Sequence, residues 1–413
     1  MSTATADPWF QDLFADRIGG AGYGKGTKIY KFEKIKRAKR AALAAHPERQ
    51  LLDFGIGEND DMADPVVRNA LKTEVEKLDN RGYADNGIAA FKDAAAAFMR
   101  RQFGVALDPT TEVNHCIGSK PALAMLPAAF INPGDMTLMT VPGYPVAGTH
   151  TAYYGGTVHA LPLREENGFY PDLAGIPADV RKRAKLLVLN YPNSPTGATA
   201  TRDFYRQVID FARTNRVIVL QDAAHLLLSY DGSPLSFLQV EGAKEVGVEV
   251  HSLSKGFNMI GWRIGWVCGH PKLVQAFADV KDNCDSGQFM AIQQAAKVAL
   301  EHPEIGDRTR AKYRRRLQKL VAALGKVGFR AKMPSGTYFL YVRAPKVGAG
   351  RTFASAEDVS QFLITEQSVC CVPWDDAGAY LRFSVTYIAK DAAEEDSLMS
   401  ETVARLKGMN LKF

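Results

Sequence analysis

The sequence predicts an α/β protein with a large domain around a mostly parallel sheet and a smaller α+β domain. Between residues 85 and 270, short apolar runs of strand length alternate with helix-length segments, as in a parallel sheet covered by helices. Beyond residue 270 a long helical tract leads into a region where strands and helices no longer alternate. The composition, with 46% hydrophobic and 23% charged residues in 413, allows a large buried core.

The N-terminal part is expected to begin as a loop. Five glycines crowd the stretch from Gly19 to Gly26, which favours a mobile, irregular segment over residues 1–30. Because this stretch does not follow a strand, it is not expected to bind a dinucleotide. A helix is predicted over residues 31–45.

The elements of the middle and C-terminal parts follow from apolar periodicity. Helices are predicted at residues 88–103, 119–131, 201–214, 273–324 and 356–367, with a last helix after residue 389. Strands are predicted at residues 136–141, 157–163, 186–189, 217–220, 248–253, 264–268, 328–342 and 380–385. The expected division is an N-terminal segment (1–60) that includes part of the small domain, a large domain (61–305) and a small C-terminal domain (306–413).

The composition argues against several classes of protein. The net charge of +6 is mild and the signs are mixed, so neither a nucleic-acid nor a membrane partner is predicted. No apolar run reaches the ~18 residues of a membrane helix, and the first residues do not resemble a signal peptide. Five cysteines without a CxxC pair suggest neither a disulfide framework nor a metal site. A cytoplasmic protein with reduced thiols is therefore expected.

A basic run at residues 308–319 is the most charged feature of the chain. Its cations have the chemistry to touch phosphates, but a solvated helix face explains them at least as well. We therefore predict a solvated face for these side chains: Arg310, Arg314, Arg315 and Lys319.

The most informative stretch runs from Ser252 to Gly265 and reads Ser-Leu-Ser-Lys-Gly-Phe-Asn-Met-Ile-Gly-Trp-Arg-Ile-Gly. It follows an apolar strand, so Lys255 is expected at a strand's carboxyl end, where such sheets bind ligands. A desolvated lysine near other cations becomes a nucleophile for carbonyl compounds. Ser252, Ser254 and Arg263 offer hydroxyls and a guanidinium that suit a phosphate. A polar loop would explain Lys255 alone, but the whole string favours an aldehyde-bearing phosphate cofactor.

Two more strand ends carry polar residues that suit a ring-shaped cofactor. Asn193 lies in Asn-Tyr-Pro-Asn-Ser-Pro-Thr-Gly, where two prolines and a glycine force a turn at the sheet edge. Asp222 ends an apolar strand, and a buried carboxylate there needs a cation such as a pyridinium nitrogen. Holding that nitrogen protonated makes the ring an electron sink. A plain turn and a helix-capping aspartate are the alternatives for these residues taken singly.

The start of a helix supplies another candidate phosphate contact. Ser119 and Lys120 follow Gly118, and backbone N–H groups at a helix N-terminus favour an anion. A serine at this position is common, so this motif supports a phosphate site only in combination with those around Lys255, Asn193 and Asp222.

These four motifs, in this order, resemble the fold-type I aminotransferases that depend on pyridoxal 5′-phosphate (PLP). The resemblance covers residues 30–413 and implies a mostly parallel, seven-stranded-type sheet in the large domain. It implies PLP joined to the amine of Lys255, with Asp222 at the pyridine nitrogen and Asn193 at a ring oxygen close to the substrate. It also implies small amino-acid and 2-oxo-acid substrates and a homodimer.

Further site residues follow from the same resemblance. Tyr144 is similar to the aromatic residue that stacks on the cofactor ring, and Tyr83 to the tyrosine that reaches the neighbouring subunit's phosphate. Arg382 resembles the arginine that binds the substrate α-carboxylate, and Gly57 matches a backbone position near it; taken alone, Arg382 would be a surface strand residue. His225 is a departure, because many relatives have tyrosine there, and an imidazole can donate to the ring oxygen but can also titrate near neutrality.

Within the family, several segments resemble LL-diaminopimelate aminotransferases. These are Gly118-Ser-Lys-Pro-Ala, Phe130-Ile-Asn-Pro-Gly, Pro142-Gly-Tyr-Pro-Val, Glu166-Asn-Gly-Phe-Tyr-Pro-Asp and Asp285-Ser-Gly-Gln-Phe. Tyr30, in Tyr-Lys-Phe, lies where that group has an aromatic pair near the substrate. The resemblance implies amino transfer from glutamate to tetrahydrodipicolinate, in the synthesis of lysine and peptidoglycan precursors.

Other functions stay open at this point. A general aspartate- or alanine-type aminotransferase shares many of these segments, and a PLP-dependent C–S lyase shares the cofactor motifs, with some added weight from His225. A PLP-binding transcription regulator would need a DNA-binding domain, for which the first thirty residues leave no room. A cofactor-free scaffold would give a colourless protein.

Overall fold

Helices and strands alternate through much of the chain after residue 50 in this computed structural model, which describes residues 8–25 and 31–413. The α-helices of this part are α1 (Lys31–Ala45), α2 (Pro65–Glu74), α3 (Ala89–Phe103), α4 (Ser119–Phe130), α5 (Val146–Tyr153), α6 (Ala178–Arg183), α7 (Arg202–Asn215), α8 (Ala243–Val246), α9 (Leu253–Gly256), α10 (Pro271–Lys281), α11 (Met290–Glu301), α12 (Glu304–Lys326), α13 (Ala356–Gln367) and α14 (Ala392–Leu406). The strands are β1 (Leu52–Asp53), β2 (Val113–Cys116), β3 (Met136–Val141), β4 (Thr157–Pro162), β5 (Ala184–Asn190), β6 (Ile218–Asp222), β7 (Gly247–Ser252), β8 (Gly265–Gly269), β9 (Phe339–Arg343), β10 (Val347–Gly348), β11 (Arg351–Thr352), β12 (Val369–Cys370), β13 (Val372–Trp374) and β14 (Tyr380–Ser384).

A seven-stranded mixed sheet forms the centre of the larger part of the protein. Its order is β2-β8-β7-β6-β5-β3-β4, and β8 runs antiparallel to both of its neighbours. In β5, residues 186–189 are all buried, as expected for an inner strand with helices on both faces. Helices α3, α7 and α11 supply the apolar core on one face, and α4, α5 and α10 supply it on the other. The predicted α/β class and seven-stranded sheet are confirmed.

The register of this sheet brings several strand ends to one edge. Gly265, at the start of β8, lies opposite Cys116 on one side and Ser252 on the other. Along the same edge, Asp222 at the end of β6 pairs with Asn190 at the end of β5. The loops that follow β2, β5, β6 and β7 therefore share one edge, together with the loop that precedes β8.

A second apolar core lies in the C-terminal part of the chain. The antiparallel sheet β13-β14-β9 packs there with α12, α13 and α14. Strand β1 pairs in parallel with β12, and α1 packs against α13, so the N-terminal residues from α1 to β1 join this part. Its strands and helices follow the α+β order that the sequence predicts, while the domain boundaries at residues 60 and 305 stay a prediction.

Several predicted elements are wrong in detail. The helical tract at 273–324 is three helices, because α10 ends at Lys281 and the chain turns again between α11 and α12. The predicted strand at 328–342 is a strand only from Phe339 onward. Strand β2 was not predicted, because its four residues, Val-Asn-His-Cys, carry no apolar run. Within the described ranges, no helix is both long enough and apolar enough to cross a membrane.

The segment of residues 8–25 has more local structure than the sequence predicts. It contains short 3-10 helices at Gln11–Leu13, Asp16–Ile18 and Gly20–Gly22. The side-chain amide of Gln11 donates to the carbonyls of Ala21 (3.0 Å) and Tyr23 (2.9 Å), which closes the segment on itself. The expectation of an irregular loop is wrong for these residues.

The basic face of α12 is not simply solvated. Arg315 and Lys319 bind Glu395 of α14 at 2.8 and 3.1 Å, and Arg310 binds Asp307 at 2.8 Å. Glu395 is itself buried. The prediction of a solvated face is therefore wrong for Lys319, which is partly buried, whereas Arg315 stays half exposed; both side chains join α12 to α14.

Candidate active site

Arg263 lies against the N-terminus of α4. Gly118, the residue before α4, has a φ of +80°, which favours glycine, and a Cβ atom there would overlap the Arg263 guanidinium. Arg263 Nη1 also lies 3.4 Å from Ser254 Oγ, and Ser252 Oγ accepts a hydrogen bond from the Ser254 N–H (3.1 Å). A guanidinium, two hydroxyls and the free N–H groups of a helix start are a suitable set for a phosphate.

Lys255 lies in α9, one turn after β7, and is half-buried. Its Nζ donates to the Gly57 carbonyl (3.2 Å) and lies 5.5 Å from the centre of the Tyr338 ring. The side chain of Asn59 donates to the Lys255 carbonyl at 2.7 Å. The lysine is thus held at its main chain and at its amine by the segment that follows β1.

Asp222 is buried, as the sequence predicts, with 5% of its surface exposed. Its Oδ1 accepts a hydrogen bond from the Ala224 N–H (3.0 Å). Burial raises the pKa of this carboxyl to about 6, although the Ala224 N–H and the charges of His251 and Lys255 act in the opposite direction. A cationic ring nitrogen beside it would lower the pKa and stabilise the carboxylate.

The amide of Asn193 is fully buried and fixed in orientation. Its Oδ1 accepts hydrogen bonds from the N–H and the hydroxyl of Thr196 (3.2 and 2.7 Å), while its Nδ2 has only a long contact of 3.5 Å to the Pro142 carbonyl. Asn190 ties this turn to the next strand, because its Nδ2 donates to the Asp222 carbonyl (3.1 Å). The donor side of Asn193 is therefore available for an acceptor such as a ring oxygen.

His225 is buried and neutral. Burial lowers its pKa well below the usual value, and the positive charges of Lys255 and Arg382 lower it further. The expectation that this imidazole titrates near neutrality is therefore wrong. Its Nδ1 has no hydrogen-bond partner within residues 8–25 and 31–413, and its ring lies 5.3 Å from the Tyr338 ring. One ring nitrogen can thus donate to a bound group at any physiological pH.

Arg382 is buried on β14, so the alternative of a surface strand residue is wrong. Its Nη2 donates to the Gly55 carbonyl (3.3 Å), and its guanidinium lies 4.1 Å above the Phe339 ring. Its Nε has no partner in the described part of the chain. Burial lowers the pKa to about 10, which still leaves the group charged at neutral pH. A Cβ built on Gly57 would lie 3.8 Å from Arg382 Nη2, so these two predicted residues are neighbours.

Residues 54–57 (Phe-Gly-Ile-Gly), the 54–57 segment, join the two halves of the site. The Phe54 carbonyl accepts from the Ser384 N–H (2.7 Å), and the Ile56 carbonyl accepts from the Thr386 hydroxyl (2.9 Å). In the same segment, the Gly55 carbonyl accepts from Arg382, and the Gly57 carbonyl accepts from Lys255. One short stretch of main chain therefore holds the amine and the guanidinium together.

The remaining predicted residues lie at the margin of this cluster. Lys120 is exposed at the start of α4, and Tyr144 follows β3 with 41% of its surface exposed. Tyr83 is 83% exposed and has no hydrogen bond, ion pair or ring contact with other described residues. Tyr30 lies outside the described residues.

Three residues at the site were missed by sequence reasoning. Tyr338 donates to the Gly57 carbonyl (2.7 Å) and lies beside both Lys255 and His225. Phe339 lies under Arg382, and Asn59 holds the main chain of Lys255. Tyr338 and Phe339 stand in an aromatic run that is typical of a strand core, and Asn59 lies in a polar loop, so the sequence offers no signal for any of them.

These residues fit the cofactor that the sequence resemblance implies. A phosphate suits Arg263 and α4, a cationic ring nitrogen suits Asp222, and a ring oxygen suits the free donors of Asn193 and His225. Among the described residues, no group of three or more His, Cys, Asp or Glu side chains is arranged to hold a metal ion.

Comparison with known proteins points the same way. The chain matches the family model for aminotransferase class I and II over residues 49–396. It is 56% identical to an LL-diaminopimelate aminotransferase of Methanocaldococcus jannaschii and 54% identical to that of Methanococcus maripaludis, each over 98% of this chain and 100% of the relative. The solved structure of substrate-bound BacF from Bacillus subtilis superposes with a TM-score of 0.84 at 31% identity, covering 94% of this chain and 97% of that one.

Proposed function

Because the chain belongs to the class I and II aminotransferases, we propose that it is a PLP-dependent LL-diaminopimelate aminotransferase. It exchanges an amino group between glutamate or 2-oxoglutarate and tetrahydrodipicolinate or LL-diaminopimelate. The two relatives with this name match over the full length of their chains. The observation that carries the proposal is the 54–57 segment, whose carbonyls hold the Lys255 amine and the Arg382 guanidinium side by side. An α-amino acid needs a base at its reacting carbon and a cation at its carboxylate, and these two side chains supply both.

The roles of the site residues follow from their positions. When bound, PLP supplies an aldehyde and an electron-withdrawing pyridinium ring. Asp222 would keep the ring nitrogen protonated, and Asn193 and His225 would donate to the ring oxygen. Lys255 would move a proton from the substrate α-carbon to the carbon of the cofactor's aldehyde group, acting first as general base and then as general acid. Arg382 holds the α-carboxylate, which fixes the bond to be broken in the right orientation.

The phosphate would be held at the sheet edge by three groups, which together we call the phosphate cradle. Arg263 provides a guanidinium, and Ser252 and Ser254 provide hydroxyls. The N-terminus of α4, from Ser119 onward, provides free N–H groups. Lys120 adds a positive charge at the rim, and Tyr144 covers the ring from the end of β3.

Lys31 and Asp376 form a charged pair near Arg382, and such a pair suits a substrate with an amino-acid group at each end. Lys31 Nζ is 3.9 Å from the Asp376 carboxylate and 3.5 Å above the Trp374 ring. Burial lowers the Lys31 pKa, and the charge of Arg382 lowers it further, whereas Asp376 raises it. In the register of β13 and β14, Trp374 is one row beyond Arg382 on the same sheet face, roughly 7 Å along the strand. Lys31 and Asp376 are thus the proposed contacts for the far carboxylate and ammonium of diaminopimelate, and Tyr30 is kept as a proposed substrate-binding residue.

We also propose a homodimer. Tyr83 has an exposed side chain without a partner in its own described chain, and it is proposed to reach the phosphate site of a second copy. The division into residues 1–60, 61–305 and 306–413 is kept as the proposed domain organisation. The cytoplasm is the proposed location, which suits the five free cysteines.

The deciding experiment is a panel of amino donors and 2-oxo acids with the purified enzyme. We expect high activity with LL-diaminopimelate and 2-oxoglutarate and little with the meso isomer. Alanine and aspartate should be rejected by up to about 10⁴-fold, since they leave the far-end groups unpaired. Comparable rates with alanine or aspartate would favour a general aminotransferase, and pyruvate and ammonia from cystathionine would favour a lyase.

Lys255→Ala is the control for the same assay. It should abolish transamination, and borohydride should no longer attach the cofactor to the protein. Cofactor trapped on another lysine would contradict the assignment of Lys255.

A further inference from the structure

Arg263 adopts a backbone conformation that needs support from its surroundings. Its φ of +55° is in the left-handed region, which L-residues other than asparagine and aspartate rarely occupy. The side chain of Gln288 provides that support, because its Nε2 donates to two successive carbonyls, those of Trp262 (2.7 Å) and Arg263 (2.6 Å). One amide group thus fixes the main chain on both sides of the Arg263 φ angle.

Gln288 is itself fixed in position. It is nearly fully buried, and its main-chain carbonyl accepts from the Gln293 side chain (2.8 Å). Its Oε1 lies 3.1 Å from His115 Nε2. Burial lowers the His115 pKa to about 4, so the ring is neutral, and it donates from Nε2 because the amide oxygen is an acceptor only. This donation sets which end of the Gln288 amide faces the Trp262 and Arg263 carbonyls.

The same glutamine connects both sides of the proposed phosphate cradle. His115 belongs to β2, and β2 leads directly into Gly118 and the start of α4. The Arg263 guanidinium lies against Gly118 from the other side. Gln288 therefore bonds to the strand that presents the helix N-terminus and to the loop that presents the guanidinium.

We propose that Gln288 is a positioning residue for phosphate binding: it holds the Arg263 main chain so that the guanidinium faces the N-terminus of α4. This inference rests on the proposed function, since it concerns the phosphate of PLP. In this role Gln288 acts through the main chain of Arg263, to which its side chain donates. Its effect must then depend on the phosphate and on the Arg263 guanidinium, which a general structural role would not require.

Binding of PLP and of pyridoxal, which lacks the phosphate, to the apoenzyme tests this. In Gln288→Leu we expect the Kd for PLP, measured by absorbance titration, to rise about 10- to 100-fold, as for the loss of a charge-assisted contact. The Kd for pyridoxal should stay within about twofold. Gln288→Glu keeps the size of the side chain but cannot donate to the two carbonyls, so it should weaken PLP binding at least as much. If Gln288→Leu does not fold, Gln288→Glu carries the test.

Two controls separate positioning from simple destabilisation. Thr137→Val, on β3, removes a buried hydrogen bond to Thr151 of α5 (2.7 Å). Neither residue belongs to the cradle. It should lower the Tm without changing the ratio of PLP to pyridoxal affinity. In a protein that already carries Arg263→Ala, adding Gln288→Leu should weaken PLP binding very little further, because the guanidinium that Gln288 positions is gone.

The outcomes are distinct. Equal weakening of PLP and pyridoxal, a Gln288→Glu variant that binds PLP like wild type, or additive losses in the double variant would overturn the positioning role and leave the proposed function standing. A wild-type protein that binds neither compound would overturn the proposed function itself.

Discussion

Two buried arginines in the C-terminal part of the protein have opposite surroundings. Arg316 of α12 is 1% exposed, and its donors reach Asp60 (3.0 Å), Glu395 (2.7 Å) and the carbonyls of Val385 and Tyr387. Arg382 of β14 is 6% exposed, but it has one carbonyl, an aromatic ring and an Nε with no partner in the described chain. Both cations are buried, yet only one is neutralised within the protein.

The difference separates an arginine that holds the fold from one that awaits a ligand. A buried charge without a counter-ion is costly, so a protein keeps one only where something outside the chain completes it. Arg316 joins α12 and α14 to the loop after β1, whereas Arg382 has no carboxylate partner among the described residues. Stability and activity should therefore respond in opposite ways to loss of the two side chains.

Arg382→Leu is expected to have the largest effect on activity. Without a desolvated guanidinium for the α-carboxylate, kcat/KM for LL-diaminopimelate should fall about 10³-fold, equivalent to ~4 kcal/mol. The Tm should stay or rise, because an unpaired buried cation is removed. Steady-state kinetics and thermal unfolding check this, and Arg382→Lys should recover only part of the activity because it lacks the guanidinium fork. A large drop in Tm would show that Arg382, like Arg316, stabilises the fold.

Arg316→Met should act mainly on stability. Asp60 and Glu395 would be left as buried carboxylates, at a cost of about 3–5 kcal/mol in the free energy of unfolding. The kcat/KM of the folded protein should stay within a few-fold. Arg315→Met is the matched control, since Arg315 also binds Glu395 but is half exposed, and it should cost under about 1 kcal/mol. Denaturant unfolding of wild type, Arg316→Met and Arg315→Met measures these costs. Equal losses of unfolding free energy in the two variants would contradict a special role for the buried Arg316.

Acid should weaken the ion pairs of Arg316 with Asp60 and Glu395, and it should not affect the contacts of Arg382. Burial raises the pKa of Glu395, but hydrogen bonds from Arg315, Arg316 and Lys319 outweigh it and hold the pKa at about 2. Because the folded pKa is below the unfolded one, this stability is present above about pH 4.5 and is lost as the pH falls toward 2, up to about 3 kcal/mol. Unfolding measured across this window should show a flatter acid limb in Glu395→Gln. In Arg382→Leu the limb should match wild type.

The smallest effect concerns His225. Besides burial, the charges of Lys255 and Arg382 lower its pKa, and Arg316 has no such influence. In Arg382→Leu the pKa of His225 should therefore rise, while in Arg316→Met it should not change. Imidazole chemical shifts followed by NMR across a pH titration measure this. A His225 signal that titrates near pH 6.5 in wild type would contradict the neutral, buried ring.

Much of the site was open to prediction because its chemistry is local in sequence. Lys255 and Arg263 lie in one motif, and Asp222 and Asn193 end apolar strands whose pattern also predicts the sheet. A parallel arrangement brings such strand ends to one edge, so the fold and these residues were predicted together. The two-residue strand β1 and the four-residue β2 were too short to be predicted.

Other residues depend on contacts that no sequence pattern encodes. Nothing in the basic run of α12 distinguishes Arg316 from Arg315, although one is buried and the other half exposed. Tyr338 and Gln288 matter because of the carbonyls they meet, and those carbonyls belong to residues far away in the chain. Such roles follow from tertiary packing alone.

The 54–57 segment also makes the Lys255 contact depend on how the two parts of the protein sit against each other. Its main chain is bonded to the C-terminal part through Ser384, Thr386 and Arg382. Lys255, by contrast, follows β7 of the seven-stranded sheet and reaches the segment with its amine alone. A displacement of the C-terminal part relative to the sheet would therefore carry Arg382 and the segment together and break the contact between the Gly57 carbonyl and Lys255.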